Sequence, residues 1–330
     1  MRKVIKEYIE FIKTDEVPNG WKKKKIADIC NLSSGSTPSR KSKENFVGDT
    51  LWVTSGELKD KYLSSTNEMI NNQAVIDSGL KLYKAGTVII AIYGLEADGI
   101  RGTCSIAVKE CTISQACMAF TDFKEIEPEY FYYWYKNNGN KIGLKYAQGT
   151  KQQNLCSDLV GKINIIFPPV REQKKIIKYL TALDEIINKT YESISNKHKQ
   201  KQWLMQNLLT GKQRLSGFQD KWKKVKIGSF IYEIDERSTH NNEYEILSVT
   251  KTGIRLQSEH FKKQIASDNN VGYKIIRRGN LVFSTMNLWM GSLDVLSELD
   301  TGIVSPAYKV FEFNVKQMCA QFGKYFMKTE

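Results

Sequence analysis

FPPVREQKKIIKYLTALDEIINKTYESI runs from Phe167 to Ile194, with two consecutive prolines near its head. The residues after those prolines have the period of a helix. A heptad with a at Leu180, Ile187, Ile194, Lys201 and Leu208 and d at Ile176, Leu183, Thr190, Lys197 and Leu204 places apolar residues at seven of ten seam positions. This is a coiled-coil seam with a polar gap near its centre. Pro168 and Pro169 suit a helix start, because a proline in the first turn lacks only a donor that would be free there anyway. Gly211 suits the stop. The pattern predicts a helix over 170–210, roughly 60 Å long at 1.5 Å per residue. A solitary helix of that length with an apolar seam needs a partner. An ordinary core helix is the competing reading, but core helices seldom run so far.

The chain repeats itself on either side of this segment. Trp21–Ile26 (WKKKKI) returns as Trp222–Ile227 (WKKVKI). Lys84–Ile90 has a counterpart in Arg278–Phe283, and Ile113–Phe120 in Ile303–Phe311. The order is the same and the offsets stay between 190 and 201 residues. Three matches in register point to duplicated domains. Both halves alternate β-branched and aromatic runs with Gly, Asn, Asp and Ser turns. Strands are expected at 50–54, 87–93, 118–121, 244–250, 281–285 and 308–313, which makes a mixed α/β fold. The aromatic run Tyr130–Tyr135 cannot share one helix face. Core packing accounts for it better than a base-stacking platform.

The 330 residues are enough for two domains, and they carry a net charge of +13. Residues 171–215 hold ten basic against four acidic side chains, nearly half of the excess. Such an excess suits a polyanion, most often nucleic acid, or simple solubility charge. The longest apolar run, Thr87–Tyr93, is far too short to span a membrane. The N-terminus has no signal-peptide pattern, so a cytoplasmic location is expected. Six cysteines form no CxxC pair and the three histidines are scattered, which argues for free thiols rather than a zinc site.

Several motifs then converge. Pro168–Gln173 (PPVREQ) precedes Leu180, Asp184, Leu208–Lys212 (LLTGK), Arg214 and Leu215. Upstream stand Gly20-Trp21, Gly35–Arg40 (GSTPSR), Leu51–Val53 (LWV) and Ala147–Leu155 (AQGTKQQNL). Together these resemble the specificity (S) subunit of type I restriction–modification enzymes over essentially the whole chain. The resemblance implies two similar target-recognition domains, 1–168 and 216–330, separated by a conserved coiled-coil-like spacer helix within 169–215. It implies a noncatalytic subunit that reads a bipartite double-stranded DNA target. Methyltransferase (M) subunits would dock on the spacer, and a motor-nuclease (R) subunit would join through the complex. No cofactor is expected in this chain; S-adenosylmethionine, ATP and Mg belong to the partners. Adding the repeat offset puts a second spacer at roughly 360–410, beyond Glu330. The second domain is therefore expected to be incomplete, without its helix.

Candidate DNA-contacting residues lie in loops. Ser36, Thr37, Ser39, Arg40 and Lys41 form a polar-basic loop suited to phosphates, or an exposed turn. Tyr93 and Arg101 come after the strand at 87–92, and Arg101 could read guanine with two hydrogen bonds. Gln148, Lys151, Gln152 and Asn154 offer amides to adenine edges, or a helix cap. Arg237, Thr239, Asn287 and Trp289 are the second-half candidates. The interface candidates are Ile176, Leu180, Leu183, Ile187, Ile194, Leu204 and Leu208. Two other classes stand beside this reading. One is a stand-alone basic nucleic-acid-binding protein. The other is a nuclease built on Asp49, Glu57 and Lys59, which could hold a metal and orient water. Phe167–Val170 is only a look-alike of an adenine-methyltransferase motif, because it lacks the polar residue that would bind the exocyclic amine.

Overall fold

A computed structural model of the chain describes residues 17–149, 153–260 and 267–328. It divides into two compact units, 1–188 and 189–330, and the boundary falls inside one long helix.

The first unit's strands are β1 (Lys22–Lys25), β2 (Asn31–Ser34), β3 (Thr50–Val53), β4 (Tyr62–Leu63), β5 (Met69–Ile70), β6 (Val88–Ala91), β7 (Cys104–Ala107), β8 (Cys111–Ile113), β9 (Cys117–Thr121) and β10 (Asn164–Phe167). Its helices are α1 (Ile26–Ile29), α2 (Asn72–Asp77), α3 (Pro128–Tyr146), α4 (Ser157–Gly161) and the start of α5 (Val170–Leu208). One sheet has the order β2-β9-β6-β7-β4 and a second β5-β3-β8, while β1 pairs antiparallel with β10. Strands β6, β7 and β8 are buried throughout. Strand β6 is a continuous apolar run bounded by turns, and the buried Ser105 and Thr112 hydroxyls of β7 and β8 donate to the Asp60 and Leu51 carbonyls. Within α3, Tyr130, Phe131, Tyr132 and Tyr135 are buried, and Phe131 packs on Phe120 of β9 with ring centroids 4.8 Å apart. The aromatic run is core.

Helix α5 is 39 residues long, about 58 Å. Pro169 supplies the first acceptor: its carbonyl takes the N–H groups of Glu172 and Gln173. Gln173 is fully buried. Its Nε2 donates to the carbonyls of Glu125 (2.9 Å) and Pro168 (2.7 Å), and its Oε1 accepts from the Glu127 N–H (2.8 Å). Ile176 and Ile177 pack against the first unit's core. Two turns further, Lys61 Nζ donates to Thr181 Oγ1 (2.9 Å), Glu129 (2.7 Å) and Tyr133 (3.1 Å), and the Tyr133 hydroxyl donates to Asp184 (2.6 Å). Burial alone would lower the Lys61 pKa. The hydrogen bonds to Glu129 and Tyr133 outweigh it and hold the ammonium above its ordinary range. The first turns of α5 are thus sewn to the first unit. Leu183, between the tied Thr181 and Asp184, and Ile187 and Ile194 beyond them are about half exposed. The helix ends at Leu208, and Gly211 lies just past it with φ +72°, a left-handed turn against the Trp222 ring.

The second unit contains β11 (Ile231–Ile234), β12 (Leu247–Thr250), β13 (Gly253–Leu256), α6 (Gln257–His260), β14 (Lys274–Arg277), β15 (Leu281–Ser284), β16 (Leu293–Val295), β17 (Thr301–Val304), β18 (Tyr308–Phe313) and α7 (Ala320–Phe326). Its main sheet has the order β11-β18-β15-β16. That is the order β2-β9-β6-β7 of the first unit, with matching registers: Val88↔Phe120 and Val88↔Ile106 in one, Leu281↔Phe311 and Leu281↔Val295 in the other. The duplication seen in the sequence is a duplication of this four-strand frame. One part is not matched. Lys22–Lys25 forms β1 against β10, whereas Lys223–Lys226 is exposed and forms no strand among the described residues, where no counterpart of β10 comes after β18.

All six cysteines are free, and Cys30, Cys104, Cys111 and Cys117 are buried. Burial pushes each of those four thiols up to about 12.

Replacing Gln173 by Ala leaves one N–H and two carbonyls without their partner in a closed site. We expect Gln173→Ala to destabilise the first unit by about 2–3 kcal/mol, read as a lower urea midpoint of its unfolding transition.

Candidate nucleic-acid interface

Four loops of the first unit gather around the turn 114–116, and backbone hydrogen bonds join them. Ser114 N–H donates to Val53 at the end of β3, and Ile92 N–H, after β6, donates to Ala116. Gly35 and Ser36 donate to Cys117 and Ile113. Leu155 N–H donates to Ile92 and Leu95 N–H to Gln153. Candidates far apart in sequence thus gather at one end of the sheets.

The 35–41 loop is held closely. A Cβ at Gly35 would lie 2.0 Å from the Ile113 carbonyl oxygen, so no other residue fits this approach without moving backbone. Trp52 Nε1 donates to the Ser36 carbonyl (3.2 Å), Asn45 to that of Ser39 (3.0 Å), and Pro38 is buried. Thr37 is half-buried, while Ser39, Arg40 and Lys41 are exposed. Arg40 is not idle. It pairs with both carboxylate oxygens of Glu68 (2.7 and 2.8 Å) and stacks over Phe46 and Trp52, 4.4 and 5.2 Å from their centroids. Those hydrogen bonds hold the Glu68 carboxyl below its usual range. The pair is solvent-exposed and exchangeable, so it aims the guanidinium more than it stabilises the fold.

Arg101 is placed differently from a free base reader. Its aliphatic stem lies on α3 at Gly143, where a Cβ would come within 2.5 Å of Arg101 Cγ. Its Nη2 donates to Gln153 Oε1 (2.7 Å), and its Nε is buried without a hydrogen-bond partner. Gln153 also donates its N–H to Glu96 (2.8 Å), which lowers the Glu96 pKa. Gln153 therefore ties the 92–103 loop to the 147–155 loop by backbone and side chain. Gln148 and Asn154 pair across the latter, N–H to carbonyl both ways at 2.9 Å, and Asn154 Oδ1 is buried without a partner. Tyr93 is half-buried. Lys151 and Gln152 lie outside the described residues.

In the second unit the candidates sit on separate features. Arg237 binds Asp235 (2.9 Å) and the Gly272 carbonyl (3.2 Å). Thr239 meets Glu243 and His240. Asn287 and Trp289 belong to the β15–β16 loop, and Trp289 is 82% exposed. Of the residues that could have formed a nuclease site, Glu57 caps a turn: its carboxylate accepts from the Thr54 N–H and hydroxyl and from the Asn67 N–H. Among the described residues no group of three His, Cys, Asp or Glu side chains is placed to hold a metal, and no helix is long and apolar enough to cross a membrane.

The family model for the type I restriction modification DNA specificity domain matches residues 18–196. The chain belongs to that family. It is similar to the type I restriction enzyme MjaIX specificity subunit of Methanocaldococcus jannaschii, 30% identical over 201 residues, 59% of this chain and 44% of that one. It is also similar to the EcoR124I/EcoR124II specificity subunit of Escherichia coli, 24% identical over 174 residues, 52% of this chain and 43% of that one. Its matches thus span about half the length of these curated relatives. Among solved structures the type I S subunit from M. genitalium aligns over 96% of this chain and 78% of its own, with TM-score 0.54 and 14% identity. A chain from a type I R-M system structure aligns over 96% and 81%, with TM-score 0.56 and 16% identity. These likenesses establish the fold: two mixed α/β units and a long central helix.

Sequence reasoning passes over Gln153, Glu68 and Gln173. Gln153 and Gln173 stand inside the motifs 147–155 and 168–173, and that is the signal they carry. Glu68 carries none, because its partner is 28 residues away. We expect Gln153→Ala to speed amide exchange at Leu95 and in the 96–103 loop by about tenfold or more, one lost hydrogen bond's worth of local stability, with exchange in β6 and β9 unchanged.

Proposed function

We propose that this chain is a noncatalytic DNA-recognition subunit of a type I restriction–modification complex. The observation that carries the reading is the repeated four-strand frame with chemically different loops at corresponding places. Tyr93 and Arg101 come after β6 in one unit; Met286 and Trp289 come after β15 in the other. Two copies of one scaffold with divergent loops suit two different halves of a split target. Family membership and the basic excess support the same reading. In it α5 is the spacer that sets half-site separation and docks M subunits, which bring S-adenosylmethionine. The R subunit, with ATP and Mg, joins through the complex, in the cytoplasm.

The test is DNA binding by the isolated chain as a function of salt. Each neutralised phosphate releases counterions, so six to ten contacts would weaken affinity by about 10³–10⁵-fold between 50 and 200 mM salt. Arg40→Ala should reduce the slope by about one contact, and Glu68→Gln, which frees Arg40, should tighten binding. A flat salt dependence, or turnover of S-adenosylmethionine by the chain alone, counts against the proposal.

A second expectation concerns the seam. Leu183, Ile187 and Ile194 are half exposed, and each such side chain contributes about 1.5–3 kcal/mol when fully buried. We propose that this face pairs with an M-subunit helix or, antiparallel, with α5 of a second copy. Parallel copies would stack Lys197 and Lys201 against their like, whereas antiparallel pairing sets Lys201 toward Leu183 and Ile187. Light scattering of the chain should show association that Leu183→Glu with Ile187→Glu removes. A double variant that keeps both its oligomer and its M-subunit binding would show that the seam is no interface.

A further inference from the structure

The β15–β16 loop of the second unit exposes a compact group of apolar side chains. Met286 (70%), Leu288 (43%), Trp289 (82%) and Met290 (46%) all face solvent on one short tip. The tip is not slack. Leu288–Met290 is one turn of 3-10 helix, with Met290 N–H donating to Asn287 and Gly291 N–H to Leu288. Gly291 closes it with φ +79°. Ser292 N–H also donates to Asn287, Asn287 N–H to Ser284 Oγ, and Thr285 Oγ1 to the Ala307 carbonyl. A rigid turn that keeps a tryptophan in water has its ordering cost already met before anything binds.

Its place in the frame says what it meets. Strands β15 and β16 correspond to β6 and β7, whose connection carries Tyr93, Arg101 and the Gln153 tie. The two connections differ in chemistry. In the first unit the apolar residues turn inward: Leu95 is buried, Ile100 packs against the core, and the exposed positions include Glu96 and Asp98. In the second unit no acidic residue occurs from Gly279 to Leu293, and the apolar residues point out. Exposed Thr285 and Asn287 flank the apolar side chains, while Ser284 and Ser292 at the base of the tip are buried, so it is a narrow wedge with polar shoulders. A protein interface takes roughly 800 Å² from each partner, and four side chains on one turn do not form such a patch. A base step matches it better: apolar wedges inserted between bases unstack and kink a duplex.

We propose that the 285–291 loop is such a wedge. Trp289, aided by Met286, inserts at one base step of the half-site read by the second unit and unstacks it. Recognition there then depends on how easily the step opens, which favours a flexible pyrimidine–purine step. The first unit, which lacks the wedge, reads its half-site without unstacking. This rests on the DNA-reading role proposed above and adds how the second unit discriminates.

The experiment selects duplexes from a randomised pool with the full chain. It then places 2-aminopurine, whose fluorescence is quenched by stacking, at successive positions of the selected target. Binding should brighten one position in one half-site and none in the other. Trp289→Ala should abolish the brightening, weaken binding about tenfold, toward the lower end of one base–aromatic stack, and relax the preference at that step. Trp289→Phe should retain most of the signal. Because the side chain is exposed, both variants should keep the original unfolding midpoint. A bound target that brightens nowhere, or one that brightens equally with Trp289→Ala, overturns the wedge while leaving DNA recognition standing. Unchanged brightening combined with lost M-subunit binding would assign the tip to a protein contact instead. If no duplex is selected, the DNA reading fails and the wedge with it.

Discussion

A single buried amide fixes where the long helix leaves the first unit. Gln173 reaches the end of β10 through Pro168 and the turn before α3 through Glu125 and Glu127, using both donors and its acceptor. The turn it grips is unfavourable by itself. Asp122 and Glu125 both have left-handed backbone, φ 52° and 62°, without being glycine. Neighbouring groups offset that cost. Lys22 and Lys24 bind the Glu125 carboxylate at 2.7 Å and lower its pKa to about 2, and Asn31 binds Asp122 at 2.8 Å. Strand β1, the 122–127 turn and the root of α5 therefore form one connected polar network. Only the Gln173 amide at its centre is buried, and a buried amide confers geometry only while all its partners are satisfied; the Lys22 and Lys24 pairs around it are solvent-exposed.

From that root the helix is guided by a second tie, in which Lys61 and Tyr133 hold Thr181 and Asp184. The apolar seam begins to open to solvent at the level of this tie, with Leu183. The residues that anchor the helix and those offered to a partner are consecutive parts of one surface. Ile176 packs against the first unit's core, whereas Leu183 and Ile187 are exposed. Heptad periodicity treats all of these positions alike.

At the loop end the same economy recurs in a different form. Glycines at 35 and 143 permit backbone and side chain to approach closely, and backbone hydrogen bonds then bind the loops to the turn at 114–116. The scaffold is common to both units and the loop chemistry is not. In the first unit the side chains at this end are tied into pairs, Arg40 with Glu68 and Arg101 with Gln153. In the second, the loop after β15 presents exposed apolar groups on a rigid turn.

Much of the architecture is legible in the sequence because it depends on local period. The long helix, its proline start and glycine stop, the strands and the duplication all arise from spacing of apolar residues and turn chemistry, which act over a few residues. The expected strands fall within three residues of β3, β6, β9, β12, β15 and β18. The loops that gather the candidate residues can be named, since polar and glycine-rich segments announce themselves. What each side chain does there cannot. Arg101 has the look of a free reader and instead lies on Gly143 with its guanidinium bound to Gln153. Arg40 is aimed by Glu68, and Gln173 is a buried clamp rather than one more polar residue on a helix. These roles come from partners 28 to 52 residues away, brought together by sheet pairing. Pairing between distant segments leaves no local period to read, so only the tertiary structure decided them.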